Sequence, residues 1–260
     1  MAVPLAQRTL NEQYFIALAK PNWSRILMAV NALVFVAMTW YGRQMFDTWN
    51  GTEVTDVLVR FGAKVNEMIA NGQTWRLFNA MFIHIGLLHI AFNLYALNSL
   101  GPLVEGFYGH ERFLVVYLIG GLWGSVASYA FSDALSAGAS GAVFAMVGAT
   151  TVYFLHYRKY FGARGGAILQ NMAVVTAMNL FLGFSSSGID NFAHIGGLLG
   201  GAAIGFGILP KYRAPQGDIS GRVALEVVPI QKMDLVWVLA HLALMWLAVR
   251  IVTSKLLPDG

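Results

Sequence analysis

The sequence predicts an all-α protein whose helices cross a lipid bilayer several times. Of its 260 residues, 57% are hydrophobic and only 12% are charged, whereas soluble domains carry about 25% charged residues. The mean hydropathy is +0.59, so the chain has too little polar surface to face water on every side. A third observation is that long uncharged runs recur along the chain.

Seven of these runs are candidate membrane spans. A bilayer core about 30 Å thick requires roughly 20 apolar residues of helix. The seventh run is the shortest, but Arg250 can extend its side chain to the interface and let the helix continue. In order, the runs are residues 26–42, 77–104, 113–132, 134–157, 165–189, 192–209 and 235–249.

The distribution of Lys and Arg predicts how the spans are oriented. With the N-terminus in the cytoplasm, 11 basic residues fall on the inner side and 6 on the outer side, as the positive-inside rule expects. We expect no removable signal peptide, because the first residues lack an apolar core and a cleavage site. The predicted divisions are a cytoplasmic N-terminal segment (1–25), a six-span core (26–210) with a long outer loop (43–74), a cytoplasmic linker (211–233), and a seventh helix with its tail (234–260).

The composition also excludes several function classes. The chain has no cysteine, so neither disulfides nor thiolate chemistry is available. The net charge of +4 could indicate a nucleic-acid partner. In a membrane protein, however, a basic excess reflects cytoplasmic loops, and we expect no nucleic-acid partner.

Polar side chains inside three of the spans mark a candidate site, because such residues are costly in a membrane. His89 and Asn93 lie four residues apart and share a helical face. His84 lies five residues before His89, about 140° around a continuous helix, so we expect it to point elsewhere. Ser140 and His194 lie on other spans at a similar depth. We expect no metal ion, because the i, i+4 histidine pair and the Glu of zinc proteases are missing.

Small residues accompany both Ser140 and His194 along their helices. Such stripes let membrane helices pack with their backbones close together. That packing would bring the Ser140 hydroxyl within reach of the His194 imidazole, the minimum for an activated serine. A serine in such a stripe is also an ordinary packing residue, so both readings stay open. The stripes consist of His194, Gly197, Gly201 and Gly205 on one helix, and Gly141, Ala145, Gly148 and Ala149 on the other.

The order and spacing of these motifs resemble the rhomboid family of intramembrane serine proteases. The similarity covers residues 74–206, about half of the chain, and the six-span core fits the family's bundle of six helices, here followed by a seventh. The motifs are Trp75 and Arg76; "HIGLLHIAFN" with His84, His89 and Asn93; "GPLVE" ending at Glu105; "GASG" with Ser140; and "AHIGGLLGG" with His194.

The resemblance implies a role for each residue. Ser140 would be the nucleophile and His194 the general base. His89, Asn93 and the backbone N–H of Ser140 would form the oxyanion hole. The supporting residues would be Gly138, Gly141, His84, Phe144, Trp75, Arg76 and Glu105: Phe144 would stack on His194, His84, Trp75 and Arg76 would hold the outer loop, and Glu105 would tie the inner helix ends together. Asp190 lies four residues before His194 and could reach it along a helical face, but we expect it to cap the helix or to face water.

The resemblance also implies partners and a location. The substrates would be single-pass or other transmembrane proteins in the lipid bilayer, and no cofactor is implied. A bacterial plasma membrane is expected, with a eukaryotic secretory membrane as the alternative. Two rival functions are a catalytically silent relative that binds membrane clients and a solute or metal transporter using His84, His89 and His194. The absence of carboxylates within the spans argues against the transporter.

Overall fold

The computed structural model describes residues 14–185, 188–214 and 223–257, and most of these residues are helical. Outside this range lie residues 1–13 of the predicted N-terminal segment, residues 215–222 of the predicted linker and residues 258–260 of the predicted tail. The α-helices are α1 (Trp23–Phe46), α2 (Thr55–Phe61), α3 (Asn66–Ala70), α4 (Arg76–Asn79), α5 (Gly86–Tyr108), α6 (His110–Val115), α7 (Gly121–Phe131), α8 (Ser140–His156), α9 (Arg158–Ser185), α10 (Asn191–Gly207) and α11 (Lys232–Leu256). Short 3₁₀ turns lie at Gly51–Glu53 and Ala80–Phe82, and a π-helical segment at Val116–Gly120 joins α6 to α7.

The helices confirm the predicted class of an all-α membrane protein with several spans. Five are long and apolar enough to cross a bilayer: Trp23–Phe46, Gly86–Tyr108, His110–Phe131, Arg158–Ser185 and Lys232–Leu256. Helix α8 is apolar but shorter, at 17 residues, and α10 has the same length. The division into six spans plus one stays a prediction.

Two predicted spans are not continuous helices, and that part of the prediction is wrong. The run 77–104 begins with α4 and a 3₁₀ turn, and α5 starts only at Gly86, where φ is +74°. In the run 134–157, α8 starts at Ser140. Residues 132–139, here called the pre-serine loop, are not helical. An uncharged run predicts burial, but it does not show where backbone hydrogen bonding changes from loop to helix.

Helices α8 and α10 form the centre of the bundle, where their backbones come into direct contact. A Cβ added at Gly201 would lie 2.1 Å from the carbonyl oxygen of Ala145, and one at Gly197 would lie 2.1 Å from that of Gly141. No side chain larger than hydrogen fits at either position. The small-residue stripes therefore set the spacing of the helices that begin with Ser140 and carry His194.

A small sheet, which the sequence did not predict, lies at the other end of these helices. Its strands are β1 (Tyr14–Ile16), β2 (Tyr212–Arg213) and β3 (Val223–Val227), in the order β1-β3-β2. β1 pairs with β3 in parallel, with Phe15 opposite Ala224, and β2 pairs with β3 antiparallel. Strands of two and three residues are too short to show the period-2 alternation that predicts a strand. The five residues of β3, VALEV, do not alternate between apolar and polar.

Candidate active site

A cavity of about 700 Å³ opens between α5, the pre-serine loop, α8, α9 and α10. The predicted supporting residues Gly138, Gly141 and Phe144 line it, and so do the four predicted catalytic and oxyanion-hole residues, Ser140, His194, His89 and Asn93. These four come from three separate helices. The cavity therefore brings together side chains that are up to 105 positions apart in the sequence.

Ser140 is the first residue of α8, so it lies where the backbone N–H groups of a helix have no partner within the helix. These N–H groups and the helix dipole together favour a negative charge near this end. Just before it, Gly138 has φ of +139°. A Cβ there would lie 2.8 Å from Nε2 of His89. Only glycine therefore allows the pre-serine loop to pass so close to that ring.

His194 lies in the first turn of α10 and is buried. Its ring stacks on Phe144, with 4.3 Å between the ring centroids and 8° between the planes. Its Nδ1 atom has no hydrogen-bond partner among the described residues. Within the same part of the chain, no hydrogen bond joins the Ser140 hydroxyl to either nitrogen of this ring. Hydrogen bonds of this kind are often long until substrate binds.

His84 and His89 lie side by side, which contradicts the expectation that they point apart. Their ring centroids are 5.3 Å apart and their planes are at 63°. The 140° estimate assumed one helix through both residues, but His84 precedes α5 and lies outside it. The backbone N–H of Ala139 points at Nε2 of His84, at 3.4 Å, so His84 contacts the pre-serine loop directly.

One hydrogen bond to the His89 ring indicates which of its nitrogens carries the proton. The backbone N–H of Ile85 donates to its Nδ1 at 3.3 Å, so Nδ1 is the acceptor. In a neutral imidazole the proton is then on Nε2, the atom beside Gly138. Asn93 donates its side-chain amide to the carbonyl of His89 at 2.9 Å. One helical face thus presents two N–H donor groups near Ser140.

Asp190 caps α10, in agreement with the capping interpretation. One of its oxygens accepts a hydrogen bond from the N–H of Ala193 at 3.0 Å, and the other accepts one from the Ser128 hydroxyl. Both oxygens are therefore engaged, and neither binds the ring of His194. In a serine protease triad, the carboxylate would hold Nδ1 of the histidine. Asp190 does not take that position here.

Trp75 and Arg76 hold the long loop between α1 and α5. The guanidinium of Arg76 donates to the carbonyls of Val59 at 2.8 Å and Ala63 at 3.1 Å. It also lies over the Trp75 ring, 4.8 Å from its centroid. Arg76 is buried, and its hydrogen bond to Ala63 satisfies a buried carbonyl, which needs a partner.

Glu105 lies 16 residues after His89 in α5, which is about 24 Å farther along the helix. It does not line the cavity. Its fully buried carboxylate accepts hydrogen bonds from the backbone N–H groups of Asn22, Trp23 and Ser24, at 3.0, 2.9 and 2.9 Å. Glu105 therefore caps α1 and joins its end to that of α5.

Lys64 also lines the cavity, and the sequence analysis did not single it out. It lies between α2 and α3, and only 1% of its surface is exposed. Lysine in a loop ordinarily faces water, so no local pattern reveals its burial. Among the residues that the structure describes, no cluster of three His, Cys, Asp or Glu side chains could hold a metal ion.

The fold and the site together define a polytopic helical membrane protein with a cavity whose lining includes a serine, two histidines and an asparagine. Residues 71–211 match the model of the Rhomboid domain. The chain belongs to the rhomboid family.

Several known proteins are similar to the chain over most of its length. It is 44% identical over 194 residues to "Rhomboid protease GluP" of Bacillus subtilis (strain 168), which covers 74% of this chain and 36% of that protein. It is 30% identical over 218 residues to "RHOMBOID-like protein 7" of Arabidopsis thaliana, covering 75% of this chain and 69% of that protein. The chain thus spans little more than a third of the length of GluP.

Proposed function

We propose that the protein is an intramembrane serine endopeptidase that cleaves transmembrane helices of membrane proteins. The observation that carries the proposal is the cavity, in which Ser140 at a helix N-terminus faces the same space as His194. Membership of the rhomboid family supports it, as does the similarity to a relative named as a rhomboid protease.

Each cavity residue has a role in this mechanism. The Ser140 hydroxyl attacks the scissile carbonyl while His194 takes its proton, because serine is a weak nucleophile without a base. The resulting oxyanion accepts hydrogen bonds from the backbone N–H of Ser140, Nε2–H of His89 and the Asn93 amide. His194 then protonates the leaving amine, and the acyl-enzyme forms. Water hydrolyses the acyl-enzyme by the reverse use of the same groups.

The substrate must expose a backbone carbonyl before this reaction can begin. A transmembrane helix satisfies all its backbone groups internally, so its scissile bond is shielded until that segment unwinds. We therefore infer that substrates carry helix-destabilising residues near the cleavage site. The proposed location is a bacterial plasma membrane, with the N-terminus in the cytoplasm and the cavity open toward the outer side.

The test is labelling of the detergent-solubilised protein with a fluorophosphonate probe, which reacts with activated serines. Wild type should label, and labelling of Ser140→Ala and His194→Ala should fall by several orders of magnitude, as it does when either member of a serine–histidine pair is removed. Ser125→Ala, another serine that lines the cavity, is the matched control and should label normally. A folded wild type that stays unlabelled beside a labelled rhomboid protease would favour a client-binding protein without catalysis.

A further inference from the structure

The pre-serine loop is held from one side by Lys64. The backbone N–H of Lys64 donates to the carbonyl of Ser136 at 2.8 Å, and the N–H of Ser136 donates back to Lys64 at 3.1 Å. The Lys64 ammonium then reaches along the loop and donates to the carbonyls of Ser132 and Ala134, the latter at 2.9 Å. One residue thus satisfies three carbonyls of the segment that leads into Ser140.

The other side of the same loop is held by the residues that precede α5. The N–H of Gly138 donates to the carbonyl of Ala80 at 2.8 Å, and the N–H of Ala139 points at His84. The loop is therefore clamped between two segments of the region 62–85.

Without the Lys64 ammonium, the carbonyl of Ala134 would lose this donor, whereas that of Ser132 would keep the Asn66 amide at 3.0 Å. The backbone pair of Lys64 with Ser136 and the contacts of Gly138 and Ala139 would remain. The loop would therefore be loosened at its first residues, 132–134.

The charged groups around Lys64 connect it to α10, the helix that carries His194. The charged groups that face its ammonium are Asp133, in the loop itself, and Asp190, the cap of α10. Asp190 lies one helical turn before His194. The carboxylate of Asp190 accepts a hydrogen bond from the N–H of Ala193 and so caps the first turn of the His194 helix. The other titratable side chains that line the cavity are those of His89 and His194.

We propose that Lys64 is a positioning residue for the reaction: its ammonium fixes the pre-serine loop and thereby the Ser140 hydroxyl and the first N–H groups of α8. This inference rests on the proposed function. It assigns no proton transfer to Lys64, because its N–H groups donate to loop carbonyls and no hydrogen bond joins it to Ser140 among the described residues.

The pH dependence of the labelling rate distinguishes a positioning role from a purely structural one, because it follows the charge state of Lys64. Burial lowers the pKa of Lys64 from its ordinary value of 10.5 to about 8, although Asp190 and Asp133 oppose the shift. Between about pH 8 and 10.5 the unfolded chain therefore binds this proton more strongly than the native protein. For this group alone, stability rises with pH over that interval. Titration of Lys64 would therefore not cause a fall in reactivity over this interval through loss of stability, whereas a positioning role would.

The experiment measures the rate of fluorophosphonate labelling between pH 6 and 10 for wild type, Lys64→Met and Lys64→Arg. We expect the wild-type rate to fall several-fold through about pH 8. Lys64→Met should label about 10- to 100-fold more slowly at pH 7, the scale of a small misplacement of a reacting group. Lys64→Arg keeps the charge and two donors, so it should keep part of the rate and lose the alkaline fall. Lys159→Met, at an exposed site, is the matched control.

The outcomes separate the two proposals. A wild type that labels, with Lys64→Met labelling at the same rate and with the same pH dependence, would overturn the role of Lys64 and leave the proposed function intact. A wild-type rate that rises through pH 8, with no such rise in Lys64→Arg, would indicate that Lys64 acts as a general base. That result would also overturn the positioning role. If Lys64→Met does not fold, the pH profiles of wild type and Lys64→Arg decide, because identical profiles contradict the inference. A wild type that never labels contradicts the proposed function itself.

Discussion

At the scale of single residues, the orientation of His194 depends on stacking. Its Nδ1 has no partner among the described residues, and the nearby carboxylate of Asp190 is occupied by Ala193 and Ser128. The parallel ring of Phe144 is the contact that fixes the plane of the imidazole. Under the proposed function, a benzene ring thus takes over the orienting task that a carboxylate has in a triad.

Replacing Phe144 should therefore slow the labelling of Ser140. An aromatic pair contributes about 0.5–1.5 kcal/mol beyond its area, so Phe144→Leu should label about 2- to 10-fold more slowly, while Phe144→Tyr should keep the rate. Phe154→Leu, a buried position in the same helix outside the cavity, is the control. Equal rates for Phe144→Leu and Phe154→Leu would show that the stacking has no special role.

Glu105 should contribute strongly to stability without touching the site. Glutamine at this position has a single oxygen acceptor and no charge, so Glu105→Gln cannot accept all three N–H groups at the start of α1. Hydrogen bonds to a charged group contribute about 1.5–3 kcal/mol, and we expect the free energy of unfolding to fall by about that amount. Denaturant titration in detergent measures it, with the exposed Glu111→Gln as the neutral comparison. An unchanged midpoint for Glu105→Gln would contradict the assignment.

Residues with a motif around them could be predicted from the sequence, and residues without one could not. Phe144 was expected to stack on His194 because the resemblance to the rhomboid family implies an aromatic ring four residues after Ser140. Lys64 differs, because its burial depends on a loop almost 70 positions later. A local window contains neither the carbonyls that Lys64 binds nor the cavity that it lines.

At the scale of elements, the contact between α8 and α10 leaves no room for adjustment. Three glycines, Gly148, Gly197 and Gly201, each have a backbone oxygen of the facing helix 2.1 Å from the position of a Cβ. Since the facing atoms are backbone and not flexible side chains, only movement of a whole helix could relieve a clash. The distance between Ser140 and His194 is thereby linked to the glycine stripe.

Gly201→Ala should lower stability and labelling together. Overpacking of this kind costs about 1–3 kcal/mol. Gly166, on the surface of α9, has nothing within 4 Å of an added Cβ. The same change there should stabilise the protein by about 0.5–1 kcal/mol, because alanine favours a helix. Thermal or denaturant unfolding of both variants tests this difference in sign, and a Gly201→Ala variant as stable as wild type would contradict it.

Helix identity was easier to predict than helix boundaries. The hydropathy of the spans follows from composition, so every predicted span contains an observed helix. The starts of α5 and α8 depend on positive φ angles at Gly86 and Gly138, and the loop contacts that impose them come from elsewhere in the chain. The uncharged runs at 77–104 and 134–157 gave no sign of these interruptions.

At the scale of the whole molecule, the proposed orientation in the membrane can be tested directly because the chain has no native cysteine. Trp49 lies in the predicted outer loop and Glu111 at the predicted inner side, and both are exposed. In intact cells, a membrane-impermeant maleimide should label Trp49→Cys and spare Glu111→Cys until the membrane is opened. The reverse pattern would invert the topology and place the cavity on the inner side.

The order of the small sheet also has a consequence for biosynthesis. The central strand β3 begins 207 residues after β1 ends, and β1 has no other strand partner among the described residues. At translation rates of about 5–20 residues per second, β1 waits roughly 10–40 s for its partner to leave the ribosome. By then every helix from α1 to α10 has been made. Pairing of β1 with β3 is thus a late event in synthesis, which joins the start of the chain to the segment before its last helix.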